Sequence, residues 1–150
     1  MDANTDLHHL NLSLPTIPGW QRWGARRTIE GKDRLGVYVL FLAEDDEGPN
    51  GASILSDKVK YIGEVHGAKK SLSKRWNQFG RAALDRGGNH SGGTTFHQLG
   101  YDLNRVWIAA YPTPEGMETK AAGVLAQLWE RELLWAYWQR HHSLPACNKK

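Results

Sequence analysis

Alternating apolar and polar positions predict three β-strands. Residues 59–63 follow the two-residue period of a pleated strand that contains Tyr61, and a glycine ends it. Residues 35–43 are almost continuously apolar and predict a buried strand that carries Tyr38. The apolar run within residues 104–111 predicts a third strand. We expect this third strand to be central, because it has hardly any polar face to turn to water.

Apolar residues at helical spacing predict two helices. Ser71 is a suitable N-cap for a helix over residues 72–85, and a largely apolar helix follows over residues 117–141. Glu130 and Glu132 both lie in apolar surroundings on the long helix. A buried carboxylate costs several kcal/mol unless it is paired or bound to a metal, so at least one of them needs a partner. Helix geometry alone does not choose between the two.

Composition narrows the class of protein. A chain of 150 residues with 40% hydrophobic residues and seven tryptophans favours one folded domain. The only cysteine is Cys147, which excludes an intramolecular disulfide and a multi-cysteine metal site and fits a cytoplasmic location. No apolar run reaches the ~18 residues of a membrane span, and the polar start is unlike a signal peptide. The net charge of +3 permits a nucleic-acid partner without requiring one.

Three segments outside the regular pattern have two interpretations each. Residues 1–34 predict an irregular arm that packs tryptophans on the domain of residues 35–150, or else an arm whose tryptophans and arginines contact DNA. The acidic stretch 44–51 predicts a solvated loop on the side away from the substrate; a metal site is the alternative. The glycine-rich stretch 86–95 predicts a plain loop or a nest of backbone N–H groups for a phosphate. His90 in this stretch and His66 could contact phosphate or move a proton.

Five motifs follow one another in a familiar order. They are Gly36-Val37-Tyr38, Tyr61-Ile62-Gly63, Lys74-Arg75-Trp76, Glu130 followed by Leu133-Leu134, and Pro145 with Asn148. This series resembles the GIY-YIG nuclease superfamily over roughly residues 35 to 148. The resemblance implies an α/β fold with a small three-stranded mixed sheet, in which the two tyrosine strands are antiparallel and helices flank the sheet. It also implies a metal-dependent endonuclease.

The resemblance assigns roles to these residues. Tyr38 is the expected general base and Tyr61 orients the water or the phosphate. Arg75 neutralises the growing negative charge, and Glu130, chosen over Glu132 by the resemblance, holds one Mg²⁺ or Mn²⁺. Asn148 belongs to the family's closing segment. Some members carry lysine after the second glycine, where this chain has Glu64, and His66 or Lys69 could substitute.

The expected partner is DNA, bound by residues that carry positive charge or hydrogen-bond donors. These candidates are Lys69, Lys74, His90, Ser91, Arg26 and Arg27. Strict site specificity would require a homodimer or a larger complex, since little of the chain remains to read sequence. Two alternatives stay open: a nucleic-acid-binding module with the nuclease fold and little activity, and a protein in which both tyrosines are ordinary strand residues.

Overall fold

The computed structural model describes residues 13–15, 19–45 and 48–148, and its centre is a four-stranded antiparallel sheet. The order across the sheet is β1-β4-β2-β3. The strands are β1 Gln21–Arg22, β2 Gly36–Leu42, β3 Val59–Val65 and β4 Val106–Pro112. The general class of strands flanked by helices and the antiparallel tyrosine strands are confirmed. The expected three-stranded mixed sheet is wrong, because a short strand of the N-terminal arm pairs with β4 and every pairing is antiparallel.

Three α-helices accompany the sheet: α1 Leu72–Ala83, α2 Ser91–Gln98 and α3 Thr119–His141. Ser71 caps α1 as expected, since its Oγ accepts a hydrogen bond from the Lys74 N–H at 3.2 Å. The stretch 86–95 is not wholly a loop, because α2 begins inside it. Two short 3₁₀ helices complete the described part, at Trp23–Thr28 and Leu103–Arg105.

The alternation of side chains along β2 divides the core into two parts. Val37, Val39 and Phe41 pack with α3 residues such as Trp129 and Leu133. On the other face, Tyr38 and Leu40 pack with Leu72, Trp76 and Phe79 of α1. The start of α3 reaches this second cluster through Ala122. Tyr38 therefore faces α1, while α3 passes close to the end of the sheet where β2 begins and β3 ends.

The described part of the N-terminal arm lies against the domain. The Trp20 Nε1–H donates to the Ala52 carbonyl at 3.0 Å, and the Trp23 ring lies 5.6 Å from that of Phe79. The expected irregular arm is wrong in part, because it contains β1 and a 3₁₀ helix. Within the described ranges, no helix combines the length and the apolar character that crossing a bilayer would need.

Candidate active site

Tyr38 lies in the interior and is held by His90. Its side chain is 0% exposed, and its hydroxyl is 2.9 Å from His90 Nε2. His90 Nδ1 accepts a hydrogen bond from the Gly93 N–H at 3.1 Å, which caps α2. Because Nδ1 is an acceptor, the proton of the neutral ring is on Nε2, and Nε2–H donates to the Tyr38 oxygen. His90 is 1% exposed, so the expected contact of its ring with a phosphate does not fit its buried position.

Tyr61 is enclosed between two glycines. A Cβ built on Gly63 would lie 2.4 Å from the Tyr61 ring and 2.9 Å from the Tyr38 hydroxyl. A Cβ on Gly92 would approach the opposite edge of the Tyr61 ring to 2.4 Å. The His90 ring packs edge-on against Tyr61 with centroids 5.3 Å apart. The glycines of the second motif and of α2 are therefore required by close packing around this tyrosine.

Arg75 is fixed at the edge of this cluster. Its Nη1 donates to Gln78 Oε1 at 2.7 Å and to the Asn89 carbonyl at 3.1 Å. The first of these bonds spans one turn of α1, and the second reaches the segment that leads into α2. Arg75 is half-buried and lies close enough to affect both tyrosines and His90 electrostatically.

The pKa shifts follow mainly from burial. Burial raises the pKa of Tyr38 well above its usual value; Tyr61 raises it further, and Arg75 acts in the opposite direction. Burial, opposed by Arg75, raises the pKa of Tyr61 to about 12, and Glu130 adds to the rise. Burial, and then Arg75, lower the pKa of His90 to about 3. Near pH 7 all three groups are neutral in the unliganded protein.

Glu130 and Glu132 lie in different environments on α3. Glu130 is half-buried and raises the pKa values of Tyr38 and Tyr61, so its charge acts on the tyrosine cluster. Glu132 instead accepts two hydrogen bonds from Ser13, from its N–H at 2.8 Å and its Oγ at 2.7 Å. The partner of Glu132 is thus Ser13 in the N-terminal arm.

Glu64 and His66 form a pair at the end of β3. His66 Nδ1 lies 2.9 Å from both carboxylate oxygens of Glu64. The Glu64 side chain is 15% exposed and that of His66 is 51% exposed. Both residues line a surface cleft of about 550 Å³. The other walls of this cleft carry most of its positive charge, from Lys69, Lys70, Lys74 and Arg75.

The remaining candidates bond other groups or lie on the surface. The Asn148 side chain bridges β3, accepting from the Ile62 N–H at 2.9 Å and donating to the Ile62 carbonyl at 2.8 Å. Arg26 stacks over the Trp23 ring and bonds Asn77 on α1, and Arg27 is exposed beside it. Ser91 is exposed at the start of α2.

The geometry limits two types of chemistry, nucleophilic catalysis by cysteine and metal binding. Cys147 is buried, and burial raises the pKa of its thiol to about 12, so it is poorly suited to act as a nucleophile. In the part of the chain that the structure describes, no three His, Cys, Asp or Glu side chains gather as metal ligands. Magnesium is often held by one or two carboxylates together with substrate phosphates and water. A single half-buried carboxylate such as Glu130 fits that kind of site.

Comparison with known proteins gives no match: no family model, no curated protein and no solved structure matches this chain. The resemblance to the GIY-YIG superfamily therefore depends on the five motifs alone.

The sequence did not predict the Glu64–His66 pair or the support that His90 gives Tyr38. The two-residue spacing of Glu64 and His66 at a strand end was a usable signal, since such residues point the same way. The contact between His90 and Tyr38, 52 positions apart, had no local signal.

Proposed function

We propose that this protein is a metal-dependent endonuclease that hydrolyses DNA phosphodiester bonds at the end of the sheet where β3 meets α1. The observation that carries the proposal is the convergence of Arg75 and Glu130 on the tyrosines. They come from different helices, and the charge of each acts on the hydroxyls of both Tyr38 and Tyr61. An arginine and an acidic group beside neutral hydroxyls are the groups that phosphoryl transfer uses.

The side chains have separate roles in this proposal. Arg75, fixed by Gln78 and Asn89, neutralises the charge that grows on the phosphate oxygens. Lys69 and Lys74 line the same cleft and hold the neighbouring phosphates. Tyr61, which is partly exposed, donates a hydrogen bond that orients the phosphate. Glu130 would hold Mg²⁺ or Mn²⁺, which when bound supplies positive charge at the scissile phosphate.

The general-base role of Tyr38 stays a prediction, and two features oppose it. Its hydroxyl has no exposure to the solvent from which a water would come, and burial raises its pKa. These features favour the second candidate function, a nucleic-acid-binding module with little activity. In that case the cationic cleft binds DNA and the tyrosine cluster serves packing.

One assay separates the two functions. The full chain is incubated with supercoiled plasmid, branched DNA and single strands, with Mg²⁺, Mn²⁺ or EDTA, and binding is measured in parallel. We expect metal-dependent cleavage that EDTA stops. Binding without cleavage of any substrate would instead support the binding module.

The metal role of Glu130 has a matched control two residues further along α3. Glu130→Gln should abolish cleavage while leaving the fold and DNA binding intact, because the shape is kept and the charge is lost. Glu132→Gln should cleave normally, because the partner of Glu132 is Ser13 in the arm. The checks are plasmid cleavage rates, thermal unfolding and binding for both variants. Equal loss of cleavage in both variants contradicts the assignment.

A further inference from the structure

The Glu64–His66 pair fixes which ring nitrogen of His66 carries the proton. Both carboxylate oxygens lie 2.9 Å from Nδ1, and a carboxylate can only accept a hydrogen bond. Nδ1 therefore carries the proton, and Nε2 of the neutral ring has its lone pair available as an acceptor. The pair has the geometry of a histidine prepared to accept a proton.

The surroundings of His66 match this role. Its side chain is half exposed and lines the cleft that Arg75 also lines, so water and a phosphate can reach both residues. The charged groups that line the cleft with it are Glu64 on β3, Lys69 and Lys70 in the loop before α1, and Lys74 and Arg75 on α1. The residue of α3 next to His66 is Gly123; Lys120 lies about one turn before it on that helix, and Glu130 lies about two turns after it.

Tyr38 is less suited than His66 to accept a proton from a water in the cleft. It is fully buried, and it accepts its hydrogen bond from the Nε2–H of His90. A water that attacks a phosphate in the cleft could reach His66 without any movement of the core. The same water could not reach Tyr38 unless the core moved.

We infer that His66, oriented by Glu64, is the general base of the proposed phosphodiester hydrolysis, with Tyr38 a buried supporting residue. This inference depends on the proposed function. In the step, His66 Nε2 takes one proton from a water as the water oxygen forms a bond to phosphorus. The bond from phosphorus to the 3′ oxygen breaks, and that oxygen leaves with its electron pair and takes a proton from solvent. The imidazolium then releases its proton to solvent. The products are a 5′ phosphate and a 3′ hydroxyl, and one water is consumed.

The test compares four variants of the full chain. Cleavage of supercoiled plasmid is followed from pH 5.5 to 8.5 with Mg²⁺ or Mn²⁺ for His66→Gln and Glu64→Gln. The control pair is His97→Gln and Asp85→Asn, since His97 on α2 also pairs with a carboxylate, at 3.8 Å, but does not line the cleft. The tautomer of His66 is read separately by nitrogen NMR of the metal-free protein.

We expect His66→Gln to lose ~10²-fold or more in rate, together with the part of the profile that rises with pH. Glu64→Gln should lose roughly ten-fold, keep the rising part, and no longer hold the proton on Nδ1. The control pair should cleave as the wild type does. A His66→Gln variant with full rate and an unchanged rising limb overturns the inference, as does an Nε2–H tautomer in the wild type. Wild-type protein that cleaves no DNA overturns the proposed function as well.

Discussion

Two histidines beside the tyrosine cluster have opposite tautomers, and their neighbours explain why. The Gly93 N–H donates a hydrogen bond to Nδ1 of His90, so the ring proton is on Nε2 and is directed at Tyr38. The Glu64 carboxylate accepts a hydrogen bond from Nδ1–H of His66, which leaves Nε2 as an acceptor. His90 can therefore only support a neighbour, whereas His66 can accept a proton from solvent.

The buried His90 predicts an acid-sensitive fold. Its folded pKa of about 3 lies below the ordinary value of 6.5, so the unfolded chain binds more protons between these values. Its contribution to stability is complete above pH 6.5 and is lost as pH falls toward 3, at up to ~1.4 kcal/mol per pH unit. His90→Asn keeps an N-cap side chain and should lose this pH dependence. Urea unfolding at pH 7.5, 5.5 and 4.5 measures the difference between wild type and variant.

The difference in unfolding free energy between the wild type and His90→Asn should shrink steadily as the pH falls. His97→Gln is the control, because His97 is exposed and no comparable burial affects it. A constant difference between the wild type and His90→Asn would mean that His90 is protonated without cost.

At the scale of elements, α2 shows why the glycine-rich stretch was misassigned. Glycine is a poor helix former, so Ser91-Gly92-Gly93 has no local tendency to begin a helix. A Cβ at Gly92 would overlap the Tyr61 ring, and one at Gly93 would lie 2.6 Å from the Phe79 carbonyl. Close packing of α2 on β3 and α1 therefore requires the glycines, and packing overrides the propensity.

The elements that sequence could predict are those with strong periodicity. The tyrosine strands, β4, α1 and α3 follow from their own apolar patterns, and the Ser71 cap follows from one residue type. The short β1 could not be predicted, because its two residues gain their structure only by pairing with β4, more than eighty positions away. The same limit applies to the candidate site. Its motif residues could be chosen by resemblance, but the hydrogen bonds that orient them join distant segments.

Asn148 closes the free edge of β3, and this role predicts a loss of stability on its removal. Both polar groups of its side chain bond the Ile62 backbone, and the neighbouring Cys147 N–H donates to the Lys60 carbonyl. Asn148→Ala should lower the free energy of unfolding by ~1–3 kcal/mol, since an edge N–H and carbonyl lose their partners. Asn104→Ala, at an exposed position, is the control. Cleavage should persist below the unfolding temperature, and a loss of rate in a folded Asn148→Ala would restore Asn148 as a site residue.

At the scale of the whole molecule, charge is separated along the sheet. The cationic cleft lies where β3 ends, and Glu44 and Asp45 follow the opposite end, where β2 ends. The described part of the acidic stretch is thus away from the cleft, and its expected place away from the substrate stays a prediction; residues 46–47 lie outside the described ranges. A protein with a net charge of only +3 can still bind a polyanion, because four of its cations line one cleft.

This separation predicts which lysines contact DNA. Each phosphate neutralised on duplex DNA contributes about −0.9 to the slope of log K against log salt. Lys69→Gln with Lys74→Gln, made in a Glu130→Gln background to prevent cleavage, should therefore weaken binding and reduce the size of the slope by about two. Lys58→Gln with Arg105→Gln removes the same charge at the opposite end, where both residues contact Glu44, and should leave the slope unchanged. Fluorescence anisotropy with a labelled duplex at five salt concentrations measures both. Equal slope changes in the two double variants would show that binding depends on net charge alone and that the cleft is not the DNA surface.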